Sequence, residues 1–509
     1  MSRPGRVATL ERVIGSPSNL REILLARAAR HPDRLAFDDG RRRVTYRELL
    51  QRASGQAARL ASAGVQPGDR VALAMSAGVP FAEAFWAAQL LGAATCAFNP
   101  HVPPARLGRR TARIRPRVTI RDGDLDGAAP ARRPPPEPPT GPDDLAYLQP
   151  TSGTSGEPRA AMLLHSTVLA YLAGDDEDWA TEDDVFVDWV PPWHDYGLVR
   201  FIIGGVAHGA PCHIVEPSVR RIPDWLATIA RVRGTVSGGP DFAYRLALRM
   251  VDPATVDLTS LRNAGNGGEP VRLSSVVRFE QAFNVPGCLR PGYGLAEATL
   301  GAVATLPGQP HSADANGNFA LGAPRAGLEL RVEGDIQSPG EIRLRGESIF
   351  AGYFDAPEDT AAALRDGWLY TGDVGYVEDG NLYVLGRRRS MIKRGGAVIA
   401  PRELEEVAEE VEGVRIAAAV GLPDAVGTTE AAIVAVEHAR AGSPDEHAVA
   451  RAVSHTVAVS VGFAPERVVV LPPRSIPLTE SGKIRHGRLR DLLAEDLSPR
   501  ELAAEAARA

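Results

Sequence analysis

Apolar and polar residues in the N-terminal part of the chain alternate with the periods of helices and strands in turn. Thr45 and Glu48 form a capping-box pattern, and the apolar stripe behind them stops at Gly64. A short apolar run at residues 70–75, bounded by glycines, predicts a strand, and residues 81–91 predict the next helix. Such alternation is typical of layered α/β proteins.

Two changes in the pattern predict how the chain is divided. Residues 129–142 are rich in proline, which fixes φ and removes hydrogen-bond donors, so we expect an exposed connector within a larger domain. The alternation restarts after Ser390, with predicted helices at 401–411 and 448–459 and predicted strands at 416–420, 432–436 and 467–471. The expected fold is α/β, with a large multi-sheet N-terminal domain with layered helices at residues 1–389 and a small mobile α+β C-terminal domain at residues 390–509.

The composition narrows the class of protein. At 509 residues, with 44% hydrophobic and 24% charged residues, the chain matches a soluble protein of two or more domains. Its formal net charge of −6 gives no general reason to expect a nucleic acid or a membrane surface as partner. Three widely spaced cysteines and the lack of a membrane-length apolar segment predict a cytoplasmic protein without a membrane span. For the oligomeric state, a two-fold homodimer is the default expectation.

One loop combines glycine with hydroxyl residues and a cation. Its candidate ligands are Thr151, Ser152, Gly153, Thr154, Ser155, Gly156 and Arg159. Glycine lets a loop approach a polyphosphate closely, while backbone N–H groups, hydroxyls and a guanidinium donate to its oxygens. The loop lacks the pattern of P-loop nucleotidases. Taken alone, such a loop is more often a flexible turn, so its meaning depends on the segments that follow it.

Five further segments carry candidate chemistry in a fixed order. They are PPWHDYGL (191–198), GNGGEPV (265–271), GYGLAEAT (292–299), YTGDVGYVEDGNLYVLGR (370–387) and ESGKIRHGRL (480–489). Each segment is weak by itself. Together with the loop they resemble the adenylate-forming superfamily of acyl-CoA synthetases, fatty-acyl-AMP ligases, peptide-synthetase adenylation domains and firefly luciferase. The resemblance covers residues 19–492 and is nearest to fatty-acyl-AMP ligases and related acyl-CoA ligases.

The resemblance implies an enzyme that uses ATP and Mg²⁺ to activate a small carboxylic acid as an acyl-adenylate, releasing pyrophosphate. It implies three catalytic residues: Lys483 bridging the carboxylate and the α-phosphate, His194 between the acyl pocket and the nucleotide, and Glu297 binding Mg²⁺. The loop would hold the β- and γ-phosphates. Adenine and ribose would contact Gly268, Glu269, Pro270, Tyr293, Gly294, Asp373 and Arg387, and the acid pocket would include Trp193, Asp195, Gly292 and Leu295.

The resemblance also implies a rotation between two half-reactions. Arg389 and Ser390 occupy the hinge, where the family usually has Asp or Lys, and serine can absorb a backbone rotation. Gly395 and Gly396 belong to a segment that resembles the wall of a pantetheine tunnel. Residues 299–321 form a short stretch where adenylate-only ligases often carry an extra segment, which favours CoA as the thiol. Arg159 stands where the family usually has lysine, and it keeps the charge.

Other functions remain open at this stage. A close alternative stops at the adenylate and passes the acyl group to the phosphopantetheine of a carrier protein. Amino-acid activation is less favoured, because the His-Asp pair is shared with fatty-acyl-AMP ligases. A non-catalytic nucleotide-binding relative is disfavoured by the intact Glu297, Asp373 and Lys483, and an oxygenase of the luciferase kind shares every motif.

Overall fold

A computed structural model describes most of the chain. The described residues are 15–151, 159–175, 179–306, 309–314, 317–394, 397–423, 429–438, 446–479 and 483–495. They fall into two compact units. Unit 1 lies within Met1–Arg331, Arg343–Thr371 and Glu378–Tyr383, and unit 2 within Val332–Ile342, Gly372–Val377 and Val384–Ala509. The predicted domain boundary after residue 389 stays a prediction.

Helices occur in both units. In chain order the α-helices are α1 (Leu20–Arg30), α2 (Tyr46–Ser62), α3 (Val79–Leu90), α4 (Pro104–Arg113), α5 (His165–Ala173), α6 (Gly204–His208), α7 (Ile222–Val232), α8 (Asp241–Met250), α9 (Leu273–Ala282), α10 (Pro357–Ala363), α11 (Pro401–Glu409), α12 (Glu446–Val461) and α13 (His486–Ala494). A π-helix spans Tyr196–Ile203, and short 3₁₀ turns lie at Val219–Arg221, Pro253–Thr255, Ala296–Ala298 and Arg388–Ser390.

The strands build several sheets. In chain order they are β1 (Leu35–Asp38), β2 (Arg43–Thr45), β3 (Arg70–Ala74), β4 (Ala94–Ala97), β5 (Val118–Arg121), β6 (Leu145–Thr151), β7 (Arg159–Leu164), β8 (Phe186–Asp188), β9 (Cys212–Ile214), β10 (Val236–Gly239), β11 (Asn263–Asn266), β12 (Leu289–Gly294), β13 (Gly301–Ala304), β14 (Ala323–Pro324), β15 (Leu328–Val332), β16 (Gly340–Gly346), β17 (Leu364–Arg365), β18 (Trp368–Glu378), β19 (Asn381–Arg387), β20 (Ile392–Arg394), β21 (Ala397–Ile399), β22 (Val414–Pro423), β23 (Glu430–His438) and β24 (Arg467–Leu471).

Unit 1 contains two large sheets. One has the order β14-β13-β12-β11-β10-β8-β9-β1-β2, and the other has the order β5-β3-β4-β6-β7. Strands β8, β10, β11 and β12 pair in parallel, so their carboxyl ends meet at one edge of the first sheet. In open α/β sheets this edge is where ligands bind.

Unit 2 contains the sheet β22-β23-β24 and the hairpin β20-β21. Helices α11 and α12 pack on one face of the three-stranded sheet through an apolar cluster that includes Leu404, Val434 and Val457. Helix α13 covers a second apolar cluster through Leu489 and Leu493. A further sheet has the order β15-β16-β18-β17, with β19 beside β18.

Most predicted elements are confirmed to within a few residues. The capping box at Thr45 and Glu48 opens α2, and the prediction at residues 81–91 matches α3. Residues 129–142 contain neither helix nor strand, as the prolines predict. The three cysteines are buried and unpaired. In the part of the chain that the structure describes, no helix has both the length and the apolar character needed to cross a membrane.

A buried ionic network joins four residues of unit 1 that are distant in sequence. The Asp175 carboxylate accepts hydrogen bonds from Arg325 at 2.6 Å and from Arg200 at 3.2 Å, and it lies 3.2 Å from Nε2 of His208. Burial raises the pKa of Asp175, but the charges of the two arginines lower it by more, so its pKa lies below the ordinary value. The carboxylate is therefore a fixed negative charge between two guanidinium groups.

A second buried group, His165, predicts how stability depends on pH. Its Nδ1 accepts a hydrogen bond from the Leu20 backbone at 3.2 Å, and burial lowers its pKa to about 4. Because the unfolded histidine has the higher pKa, the unfolded state gains the proton first as pH falls. We expect the unfolding free energy to drop by about 3 kcal/mol between pH 6.5 and pH 4 on account of this group.

The variant H165N tests this prediction, since asparagine can present an acceptor at the Nδ1 position and does not titrate. Urea unfolding followed by tryptophan fluorescence at pH 7, 6, 5 and 4 gives the comparison. The difference in unfolding free energy between the two proteins should change with pH by that amount, in favour of the variant under acid. Parallel curves would contradict the assignment.

Candidate functional site

The carboxyl edge of the first sheet collects several predicted site segments. Strand β8 ends at Asp188, five residues before Trp193, while β11 ends at Asn266 and β12 ends at Gly294. Because these strands are parallel and run in one sheet, the segments that follow them leave from the same edge. The fold of unit 1 thus brings together motifs that are about a hundred residues apart in sequence.

The predicted phosphate loop connects the two strands of a hairpin in the second sheet. Strands β6 and β7 are antiparallel, and Thr151 pairs with Arg159 as the last residue pair before the loop. The Thr151 hydroxyl lies 3.5 Å from the carbonyl oxygen of Arg159. The predicted ligands Ser152, Gly153, Thr154, Ser155 and Gly156 lie outside the described residues. Two strand ends therefore fix the base of this loop.

The segment around Trp193 is tied to the same hairpin. The buried side-chain amide of Gln149, on β6, donates to the Trp193 carbonyl at 3.0 Å. The Trp193 ring is almost fully buried and meets His101 edge to face at 6.2 Å. His194 is half-buried, and its carbonyl accepts from Leu198 at 3.0 Å.

Asp195 caps the π-helix that follows. Its carboxylate accepts from the Tyr196 backbone at 2.7 Å. A π-helix is rare and often marks a functional segment, because its extra residue per turn re-aims side chains. The side chain of Asp195 thus caps the π-helix in this structure. Its role in the acid pocket stays a prediction.

Glycines let β11 and β12 approach each other closely at the edge. A Cβ on Gly267 would lie 2.9 Å from the carbonyl oxygen of Gly292, so a side chain at residue 267 would push the two segments apart. Gly268 has φ +83°, which only glycine adopts readily. The Glu269 carboxylate accepts from the Phe242 backbone at 2.5 Å, and Pro270 is exposed.

The end of β12 carries another group of predicted ligands. Tyr293 pairs with Val303 across the antiparallel partner strand, and the pairing shifts between Tyr293 and Gly294. A side chain at Gly294 would collide with the Leu300 carbonyl. Leu295 is nearly buried, and the 3₁₀ turn that contains Glu297 begins directly after it.

Glu297 belongs to a compact ionic cluster in unit 1. Its Oε1 accepts from the Tyr353 hydroxyl at 2.6 Å. The Arg159 guanidinium lies over the Tyr353 ring, 5.1 Å from its centre, and pairs with Asp359 at 3.0 Å. A carboxylate and a guanidinium from distant segments thus meet on one tyrosine, at the base of the predicted phosphate loop. This arrangement can hold a polyphosphate and a hard cation.

The remaining predicted residues lie in unit 2. Asp373 is buried, follows Gly372 (φ +73°), and pairs with Nε of Arg387 at 2.9 Å. Arg389 and Ser390 form a single 3₁₀ turn directly after β19. Gly395 and Gly396, the predicted tunnel glycines, lie outside the described residues.

Lys483 lies at the surface of unit 2. Its backbone is fixed by two hydrogen bonds with Thr479, one from the lysine N–H to the threonine hydroxyl at 3.0 Å and one from the threonine N–H to the lysine carbonyl at 2.7 Å. The side chain is exposed. A fixed backbone with a free four-carbon stem suits a residue that reaches a ligand.

The donors present fit a magnesium site completed by a nucleotide. Among the described residues, no group of three His, Cys, Asp or Glu side chains could hold a metal by protein ligands alone. Mg²⁺ commonly binds one or two carboxylates together with substrate phosphates. Glu297 supplies one such carboxylate, and within the described residues its Oε2 makes no hydrogen bond.

This geometry also includes Tyr353, Asp359 and Gln149, to which no sequence motif points. Gly-Tyr-Phe before a proline looks like an ordinary turn, and the contact of Tyr353 with Glu297 joins residues 56 positions apart. No local spacing indicates such a contact.

The sequence of this chain is similar to those of several known proteins. The profile of the family described as AMP-binding enzyme matches residues 24–354. A Mycobacterium tuberculosis protein named as a ligase is 35% identical over 388 residues, 68% of this chain and 71% of that protein. A medium-chain-fatty-acid acyl-carrier-protein ligase of Moorena producens is 31% identical over 399 residues, 68% of this chain and 67% of that protein.

A solved structure is similar over nearly the whole chain. It comes from a study of fatty acyl-adenylate ligases of E. coli and L. pneumophila, with a TM-score of 0.83 and 26% identity, covering 97% of this chain and 100% of the other.

Proposed function

We propose that this chain activates a carboxylic acid with ATP and Mg²⁺ and then transfers the acyl group to a thiol. The proposal proceeds from the family: the chain belongs to the AMP-binding enzymes and is an acyl-adenylate-forming ligase. The observation that carries the proposal is the cluster of Arg159, Tyr353 and Glu297 beside the base of the phosphate loop. It joins a phosphate-binding cation to a metal-binding carboxylate inside unit 1.

The first half-reaction needs neutralisation of negative charge. A carboxylate oxygen attacks the α-phosphorus, the bond from that phosphorus to the bridging oxygen of the β-phosphate breaks, and pyrophosphate leaves with the electron pair. We assign Arg159 and the loop 151–159 to the β- and γ-phosphates and Glu297 to Mg²⁺, which supplies positive charge at the reacting phosphates. Lys483 is assigned to the α-phosphate, where its ammonium stabilises the transition state.

The other predicted residues receive binding roles in this proposal. Asp373 accepts hydrogen bonds from the ribose hydroxyls, and its ion pair with Arg387 fixes the carboxylate for that task. The turn at residues 268–270 borders the adenine with Tyr293. His194, Trp193 and Gly292 border the acid, since they leave from the same sheet edge as the nucleotide-binding turn.

The experiment that tests the proposal is acid-dependent exchange of labelled pyrophosphate into ATP, across a panel of aliphatic, aromatic and amino acids. We expect exchange with one class of acid only. A flat profile over the whole panel, with folded protein and Mg²⁺ present, would contradict adenylation by this chain.

Two thiols are candidates for the second half-reaction. Two sequence features favour CoA: the short stretch at residues 299–321, and the segment after Arg394 that resembles the wall of a pantetheine tunnel. A relative 31% identical to this chain is named for transfer to an acyl carrier protein, which favours a carrier phosphopantetheine. Incubating the adenylating protein with CoA and, separately, with a phosphopantetheinylated carrier protein decides between them by product mass.

A further inference from the structure

The segment at residues 350–354 runs beside the strand that leaves the phosphate loop. The Phe354 backbone donates to the Ala160 carbonyl at 2.8 Å, and the Met162 backbone donates to the Gly352 carbonyl at 2.8 Å. Tyr353 therefore pairs with Ala161 of β7, two residues after Arg159. Backbone pairing of this kind fixes where the tyrosine side chain begins.

The same segment is joined on its other side to the turn that carries Glu297. The Phe350 backbone donates to the Glu297 carbonyl at 2.9 Å. The buried Thr299 hydroxyl donates to the Ser348 carbonyl at 2.7 Å, and Thr299 has φ +69°, an unfavourable backbone geometry that surrounding contacts must maintain. Residues 348–354 thus connect two segments that are more than a hundred residues apart.

The local turn around Tyr353 is fixed as well. The Tyr353 backbone donates to the Thr360 hydroxyl at 2.8 Å. Gly352 has φ +131°, and a Cβ there would lie 2.6 Å from the Thr360 methyl carbon. The ring meets Phe350 edge to face at 4.9 Å. These contacts set the direction in which the hydroxyl points.

The Tyr353 side chain faces two groups of opposite charge. Its hydroxyl donates a hydrogen bond to Oε1 of Glu297 at 2.6 Å. Its ring face carries the Arg159 guanidinium. One side chain therefore contacts the predicted metal ligand, Glu297, and one predicted phosphate ligand, Arg159.

We propose that Tyr353 is a positioning residue for the metal: it holds Oε1 of Glu297 so that Oε2 faces Mg²⁺, and it holds Arg159 beside the phosphates. This inference rests on the proposed function and adds a residue to that site. A tyrosine that served only as packing would need no hydroxyl, since phenylalanine fills the same space.

The variant Y353F removes the hydroxyl and keeps the ring under Arg159. Calorimetric titration with ATP, once with Mg²⁺ and once with EDTA, separates the two roles. We expect Mg·ATP affinity to fall about tenfold, because a hydrogen bond to a charged group is lost, while metal-free ATP affinity stays within about twofold. The Mg²⁺ concentration for half-maximal pyrophosphate exchange should rise in parallel.

Two further variants sharpen the test. Y353L also removes the aromatic face, so we expect it to weaken metal-free ATP binding, which Y353F does not. Y370F removes a hydroxyl from another tyrosine of unit 1 whose ring carries two arginines, 4.8 and 4.3 Å from its centre, and it should behave as wild type.

The outcomes separate cleanly. Equal losses with and without Mg²⁺ in Y353F, or no loss in either, would overturn the inference. If the wild-type protein exchanges pyrophosphate and Y353F binds Mg·ATP as tightly as wild type, only this inference is contradicted. Wild-type protein that neither binds Mg·ATP nor exchanges pyrophosphate ends the proposed function, and this inference with it.

Discussion

Replacing Lys483 with alanine is expected to lower acid-dependent pyrophosphate exchange by about 10²–10³-fold, the usual effect of removing one donor aimed at transition-state charge. The side chain is exposed, and its backbone is held by Thr479 through atoms that alanine retains. The unfolding free energy should therefore change by less than about 0.5 kcal/mol. The loss should fall mainly on kcat, because the ammonium acts on charge that develops during the reaction.

The chain supplies a matched control for this variant. Of its 57 lysine and arginine residues only Lys393 and Lys483 are lysines, so a position that retains an ammonium is unusual in this sequence. Lys393 is also exposed, and K393A should keep the exchange rate of wild type. K483R keeps the charge but replaces a compact ammonium with a planar fork, and we expect it to recover only part of the rate. Exchange by K483A within about threefold of wild type would contradict the assignment.

The local patterns of the sequence predict the elements well. The capping box before α2 and the apolar runs that become β22, β23 and β24 depend on neighbouring residues, so spacing alone identifies them. The order of the strands within the sheets does not follow from these local patterns. In the first sheet β8 lies between β9 and β10, and β6 lies in another sheet. Which strands become neighbours depends on contacts far apart in sequence.

The candidate site shows the same limit. Motif resemblance identified Arg159 and Glu297, since each stands in a recognisable segment. The residue that joins them, Tyr353, makes its hydrogen bond over 56 positions of sequence. The buried partners of Asp175 lie 25, 33 and 150 positions away. Such contacts are products of the tertiary fold, and no periodicity in the chain carries them.

The network around Asp175 gives the second large prediction. D175N should lower the unfolding free energy of unit 1 by about 3–5 kcal/mol, because it leaves the guanidinium groups of Arg200 and Arg325 facing each other without a buried counter-charge. All six tryptophans of the chain belong to unit 1, so fluorescence during urea unfolding reports on this unit. D183N, at an exposed neighbouring position, is the matched control and should stay within about 0.5 kcal/mol of wild type.

The pH dependence distinguishes this network from His165. The folded pKa of Asp175 lies below its unfolded value of 3.8, so its contribution is present above that pH and is lost as pH falls below it. The histidine contribution is lost earlier, between pH 6.5 and 4. The difference between wild type and D175N should therefore hold from pH 7 to about 5 and shrink only below about 4. A D175N protein within about 1 kcal/mol of wild type at pH 7 would mean that the attraction of the ions only offsets their desolvation, so that the network specifies the packing of α5, α6 and the π-helix without stabilising it.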